Sequence, residues 1–213
     1  MMNILEKKLS ERRESAKNRI SPEILSKMLE ATQSLKNSEL EKEAFNIGDK
    51  IEDTILLNNL GDEVSIMDIL GKQPAIISFY RGTWCPYCNL ELSTYNELLK
   101  DKNKIKMVAI SPERPESSIN VENLNFEVLS DIDNKFAKKL NLTFDITETI
   151  ENIYDGFGIN LEKSQGKKSR ILPIPATYIV DSSGVIVYAY IDADYTKRAE
   201  PKDVIDKYLE LIK

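Results

Sequence analysis

Cys85 and Cys88 are the only cysteines in the chain, and they stand three positions apart in Phe79-Tyr80-Arg81-Gly82-Thr83-Trp84-Cys85-Pro86-Tyr87-Cys88. Two intervening residues hold the sulfurs close enough to make and break a disulfide at a helix start without refolding the chain. The chemistry this suits is dithiol redox chemistry, in which one cysteine attacks and the other resolves a mixed disulfide or a sulfenic acid. A Cys-x-x-Cys is also half a zinc site, but the chain has no further Cys and no His to complete one. The absence of imidazole also excludes Ser/His/Asp and Cys/His nucleophile pairs and a His-ligated haem within this chain. A structural disulfide or a pair of inert core thiols are the bland alternatives. Trp84 and Pro86 around the pair argue against the inert reading.

Positioning such a pair takes a strand that delivers it and a helix that activates it. Ala75 to Tyr80 is a β-rich apolar run, and Asn89 to Leu99 has helical patterning. The cysteines therefore fall where a buried strand ends and a helix begins. Unpaired N–H groups and the positive end of the helix dipole stabilise a thiolate there, lowering its pKa. Pro86 pre-sets the first helical turn. Further strands are expected at Ile105 to Ile110 and Phe126 to Leu129, with helices at Glu116 to Leu124 and Asn134 to Leu140. Thr177 to Val180 and Val185 to Ile191 read as a hairpin around Asp181-Ser182-Ser183-Gly184, and Pro201 to Ile212 as a closing helix. Gly156 to Arg170 reads as a mobile loop. Strands alternating with helices give a layered α/β domain over residues 45–213.

Residues 1–44 differ: they are charge-dense, free of Gly, and patterned as two helices. The first runs from about Asn3 to Arg19. The second has Ser21 as N-cap, Pro22 at its first position, and an apolar stripe of Ile24, Leu25, Met28, Leu29, Ala31 and Leu35. This extension is expected to pack on the domain behind it or on a partner subunit, and a homodimer is among the expected assemblies.

The balance of 29 basic against 35 acidic residues, net −6, argues against a nucleic-acid partner. Apolar residues at 41% and charged residues at 30% suit a globular protein with a sizeable core. Pro74 to Tyr80, the longest strongly apolar stretch, is far short of the roughly 20 residues needed to span a bilayer. The N-terminus lacks the apolar segment of a secretory signal. A cytoplasmic location follows as an expectation, and in that reducing compartment a close cysteine pair reads as redox-active.

Trp84-Cys85-Pro86-Tyr87-Cys88 resembles the active-site turn of thioredoxin-fold proteins. The longer frame, with Ile47-Gly48-Asp49, Phe79-Tyr80, Ile110-Ser111-Pro112, Val128-Leu129-Ser130-Asp131 and Tyr178-Ile179-Val180-Asp181, resembles the peroxiredoxin (AhpC/TSA) family, in its subgroup with a thioredoxin-type Cys-x-x-Cys. The resemblance implies a thioredoxin fold, a central mixed sheet flanked by helices, here behind an N-terminal helical extension. On the family's Thr-x-x-Cys pattern, Cys88 takes the peroxidatic position and Cys85 replaces the threonine. The family's arginine in the neighbouring strand is matched by Pro175, where thioredoxins carry a cis-proline.

These departures imply slower peroxide chemistry, because oriented donors at the developing charge are a main catalytic term. Arg81 or Arg170 could replace the missing arginine, although each reads first as a surface charge. Trp84 and Tyr87 are expected to wall the site and Pro175 to face the sulfurs. Glu91 is either a proton relay or a solvated helix-face carboxylate. The resemblance implies a thiol peroxidase in which a hydroperoxide oxidises Cys88, Cys85 closes the disulfide, and thioredoxin or another dithiol reduces it, with no cofactor. In the thioredoxin reading Cys85 attacks a disulfide instead. A non-enzymatic redox sensor is the third reading.

Overall fold

Along Ala75 to Tyr80 every residue is buried: Ala75, Ile77 and Phe79 join one core cluster, while Ile76 and Tyr80 join another. An apolar run without a polar face is what a strand covered on both sides requires. The computed structural model describes residues 3–102, 104–118 and 123–212. Its first half comprises α1 (Ile4–Arg19), α2 (Pro22–Lys36), α3 (Leu40–Glu43), β1 (Ile55–Leu57), β2 (Glu63–Ser65), α4 (Ile66–Leu70), β3 (Ala75–Phe79) and α5 (Pro86–Leu99). Then follow β4 (Met107–Ser111), β5 (Glu127–Ser130), α6 (Lys135–Lys139), β6 (Thr143–Asp145), α7 (Glu148–Gly156), α8 (Leu161–Gln165), β7 (Ile171–Pro173), β8 (Ala176–Val180), β9 (Ile186–Ile191) and α9 (Pro201–Leu211).

The main sheet has the order β2-β1-β5-β4-β3-β8-β9. Its β3–β4 and β4–β5 pairs are parallel and the rest antiparallel, so the sheet is mixed, as a thioredoxin fold requires. One face is covered by α4 and α6, through Ile66, Leu70, Phe136 and Ala137. The other carries α1, α5 and α9, through Leu5, Leu9, Leu92, Tyr95, Val204 and Tyr208. Phe79 ↔ Ala176 is the last pair of the β3–β8 ladder, which leaves Tyr80 and Pro175 side by side where the chain enters the cysteine turn.

The N-terminal helices are built into this scaffold. Leu5 and Leu9 of α1 are buried in the same cluster as Cys88, Tyr80 and Tyr208, each burial contributing about 1.5–3 kcal/mol. The Glu200 carboxylate, at the start of α9, accepts from the backbone N–H groups of Leu5 (3.1 Å) and Glu6 (3.4 Å), satisfying donors that α1 cannot pair itself. Arg13 donates to the Thr196 carbonyl at 3.1 Å. In α2, Ser21 caps the helix by accepting from Ile24 N and Pro22 takes the first position. Met28 and Ala31 then pack on Ile150 and Tyr154 of α7.

Two expectations need correction. Gly156 to Arg170 is not one loop: Asn160 caps α8 by accepting from Lys163 N at 2.7 Å, and Leu161, Ser164 and Gln165 are buried. An Asn side chain accepting from the third residue on is a helix start, and here it opens a short helix inside the expected loop. The helix expected over Glu116 to Leu124 is a single 3-10 turn at Pro115–Ser117, and residues 119–122 lie outside the described region. The helical patterning from Asn89 extends back to Pro86, which opens α5 as its first-turn position predicted.

Candidate active site

Every sharp feature of the cysteine turn has a local cause. Gly82 sits at φ +148°, and a Cβ there would lie 2.8 Å from Trp84 Cδ1, so only glycine leaves room for the indole. Cys85 N donates to the Gly82 carbonyl at 3.0 Å. Cys85 is then the N-cap of α5, with Pro86 at the first position and Asn89 N donating to the Cys85 carbonyl at 3.1 Å. A buried carboxylate fixes the turn from below. Glu113 accepts from Thr83 N (2.8 Å), Thr83 Oγ1 (3.0 Å) and Ser164 Oγ (2.8 Å), and burial holds its pKa above the usual carboxylate value.

The two sulfurs are reduced and buried, Cys85 at 1% and Cys88 at 0% exposure, yet their environments differ. Burial alone would push both thiols up. At Cys85 a hydrogen bond from Cys88 and the guanidiniums of Arg81 and Arg198 outweigh it and bring the pKa down to about 5. At Cys88 burial, together with its bond to the Cys85 sulfur and that sulfur's charge, pushes the thiol well above its ordinary value. The two thiols titrate as one coupled pair, whose surroundings lower the pKa at the helix N-cap and raise it one turn deeper.

The AhpC/TSA family model matches residues 47–189. The chain belongs to the AhpC/TSA family. It is 26% identical over 176 residues to the thiol-disulfide oxidoreductase ResA of Geobacillus kaustophilus, covering 81% of this chain and 82% of that one. To ResA of Geobacillus thermodenitrificans it is 28% identical over 149 residues, covering 68% and 70%. Among solved structures, the peroxidoxin BcpB of Mycobacterium tuberculosis superposes with a TM-score of 0.59 at 16% identity, over 79% of this chain and 96% of that one, a likeness of fold. Family and dithiol together make the protein a thiol oxidoreductase, which works on a redox substrate and is renewed by a reductant.

Within this AhpC/TSA frame the structure relocates several residues. Arg81 is not a surface charge: it is 2% exposed. Its guanidinium lies 4.8 Å from the Trp84 ring centroid and 4.3 Å from that of Tyr195, and it donates to the Tyr154 hydroxyl. Glu91 is not a solvated helix-face carboxylate either; it is 1% exposed, accepts from Arg198 Nε at 2.6 Å and from Thr177 Oγ1 at 3.3 Å. Burial raises its pKa to about 7, with Arg198 opposing and Cys88 adding to the shift. Arg170 is remote from this cluster, ion-paired with Glu151.

Trp84 packs on Tyr154 at 5.3 Å between centroids with the rings tilted by 50°, and Tyr87 meets Tyr195 edge-on at 5.7 Å. Cys85, Trp84, Pro86 and Tyr87 line one cavity; Pro175 lines an adjoining one, which shares Arg81, Tyr154 and Tyr195 with it. No peptide bond among the described residues is cis, so the expected cis Ile174–Pro175 bond is trans. The chain runs straight from β7 into β8 there, with Ile174 N donating to the Leu142 carbonyl at 2.8 Å, and trans is the lower-energy isomer of an X–Pro bond.

The functional residue with no motif behind it is Arg198, which donates through Nη2 to Cys88 Sγ at 3.1 Å. It lies in Thr196-Lys197-Arg198-Ala199-Glu200, a short charged segment that no motif covers. Its position just past β9, at the end of the sheet that carries the cysteine turn, is the one signal that could have found it.

Proposed function

We propose that the protein is a thiol-disulfide oxidoreductase in which Cys85 opens the reaction and Cys88 completes it. The observation that carries this reading is the placement of the pair: Cys85 is the N-cap of α5 and lines a cavity, while Cys88 is fully buried beneath it and lines none of that cavity, and the surrounding charges favour the thiolate at Cys85 and disfavour it at Cys88. The Cys85 thiolate attacks one sulfur of a disulfide substrate, whose S–S bond breaks and whose leaving thiolate takes a proton from water. Cys88 then gives up its proton. Glu91, with a pKa of about 7 and bound to the same guanidinium as Cys88, is the acceptor. The Cys88 thiolate attacks Cys85 Sγ, the second substrate thiol leaves, and the Cys85–Cys88 disulfide remains. An external dithiol of the thioredoxin kind returns two electrons.

A second reading has one observation in its favour. Arg198 puts a cation on Cys88 Sγ and could serve a peroxidatic Cys88 in place of the arginine that Pro175 displaces. One experiment separates the two. Reduced protein is mixed with hydroxyethyl disulfide or with hydrogen peroxide, and the state of each cysteine is read by mass spectrometry in wild type, Cys85→Ser and Cys88→Ser. Exchange through Cys85 predicts a Cys85–hydroxyethyl adduct in Cys88→Ser and no reaction in Cys85→Ser. Rapid formation of sulfenic acid on Cys88 in Cys85→Ser, with the small disulfide unreactive in wild type, would establish the peroxidase instead.

A further inference from the structure

The cavity in front of Cys85 has a volume of about 590 Å³ and is walled by α1, α2 and the cysteine turn. That is the size range of small-molecule sites. A folded protein substrate would need an open strip of surface beside the sulfur, but Cys85 is 1% exposed and α1 is tied down by Glu200 and by the Arg13 contact.

The charge of the lining runs against that of the chain. Although the protein is net −6 overall, the cavity carries Arg12, Arg13, Lys17, Arg19 and Arg81 against a single carboxylate, Asp194. Asp194 is already engaged, accepting from Thr196 N (3.0 Å) and Thr196 Oγ1 (2.8 Å). Arg13 is paired with Glu6 and Lys17 with Glu14. Arg12 and Arg81 are different: the Nε–H of each is buried without an acceptor. Unsatisfied buried donors on two cations that line one cavity with the reactive sulfur define a place for an acceptor with negative charge.

Resting on the exchange chemistry above, we infer that the substrate is a low-molecular-weight disulfide bearing carboxylate or phosphate groups, held by Arg12 and Arg81 against the Trp84 and Tyr87 rings. Its S–S bond is split by the Cys85 thiolate; the two halves leave as thiols, and the two electrons come from the Cys85/Cys88 dithiol.

The test compares three disulfide probes on reduced protein: oxidised glutathione, which is anionic, hydroxyethyl disulfide, which is neutral, and cystamine, which is cationic. The rate is followed by the fluorescence of Trp84, the only tryptophan. The anionic probe is expected to react about ten- to a hundredfold faster than the cationic one, with the preference shrinking at high salt. Arg12→Glu is expected to bring the ratio of the two rates to unity or below, and Arg12→Lys to restore most of it. A ratio needs no assumption about the total amount of folded protein. Equal rates for the three probes, or efficient reduction of insulin with no preference among them, would overturn this inference and leave the exchange chemistry standing. No reaction with any disulfide would overturn the exchange chemistry itself.

Discussion

Arg198 and Glu91, 107 residues apart in the chain, form an ion pair at 2.6 Å with both side chains 1% exposed, and the same guanidinium reaches Cys88 Sγ at 3.1 Å. Arg→Met here would leave a carboxylate buried without its cation. Breaking a buried pair from one side costs about 3–5 kcal/mol. Arg198→Met is therefore expected to lower the free energy of unfolding in urea by about that amount, and to push the Glu91 pKa above its present value of about 7. A loss below about 1 kcal/mol would mean that the pair does not hold the site together.

The reactivity of Cys85 should follow its low pKa. Alkylation by iodoacetamide is expected to be nearly constant from neutral to alkaline pH and to fall as pH drops through about 5. Stability moves with it. The folded pKa lies below the ordinary thiol value of 9.0, so the unfolded chain binds more protons between about 5 and 9. This contribution is present in full above the unfolded value and is lost as pH falls through about 5. Cys85→Ser should remove that part of the pH dependence, which urea unfolding at a series of pH values measures.

Gly82 tests how tightly the turn is built. A Cβ at this position meets Trp84 Nε1 and Cδ1. Gly82→Ala should displace the indole from Tyr154, shift the Trp84 emission, and lower disulfide reduction by about ten- to a hundredfold, because small misplacements near a reacting atom are that costly.

Glu200 fastens the start of α1. Glu200→Ala should cost about 1 kcal/mol, the usual scale of losing a helix N-terminal acceptor, and should speed amide hydrogen exchange in the first turn of α1 well beyond that of α5. Unchanged exchange at Leu5 and Glu6 would show that the core contacts of Leu5 and Leu9 hold the helix alone.

Much of the framework was legible from the chain. The Ala75 to Tyr80 run, the Pro86 helix start, the Asp181-Ser182-Ser183-Gly184 turn and the Ser21-Pro22 cap are local signals, and local geometry decides them. What escaped was charge placed by long-range packing. Arg81 read first as a surface charge, Glu91 as either a relay or a solvated carboxylate, and Arg198 carried no motif, because such residues are almost never fully buried unless paired, and the partners here lie across α5, α7, β8 and the segment after β9. Glu113 and Ser164 escaped for the same reason. The trans Ile174–Pro175 bond shows the opposite limit: analogy to the thioredoxin turn suggested an isomer that the straight path from β7 into β8 does not adopt.

Arg81 has aromatic rings and a tyrosine hydroxyl around it, and among the described residues no salt bridge to a carboxylate. In the reduced protein the negative charge that the cysteine pair can carry acts directly on it. Closing the disulfide erases that charge and strands a desolvated cation in the interior. Oxidation thus adds a covalent cross-link while removing an electrostatic one, and an anion entering beside Arg81 would restore the lost counter-charge.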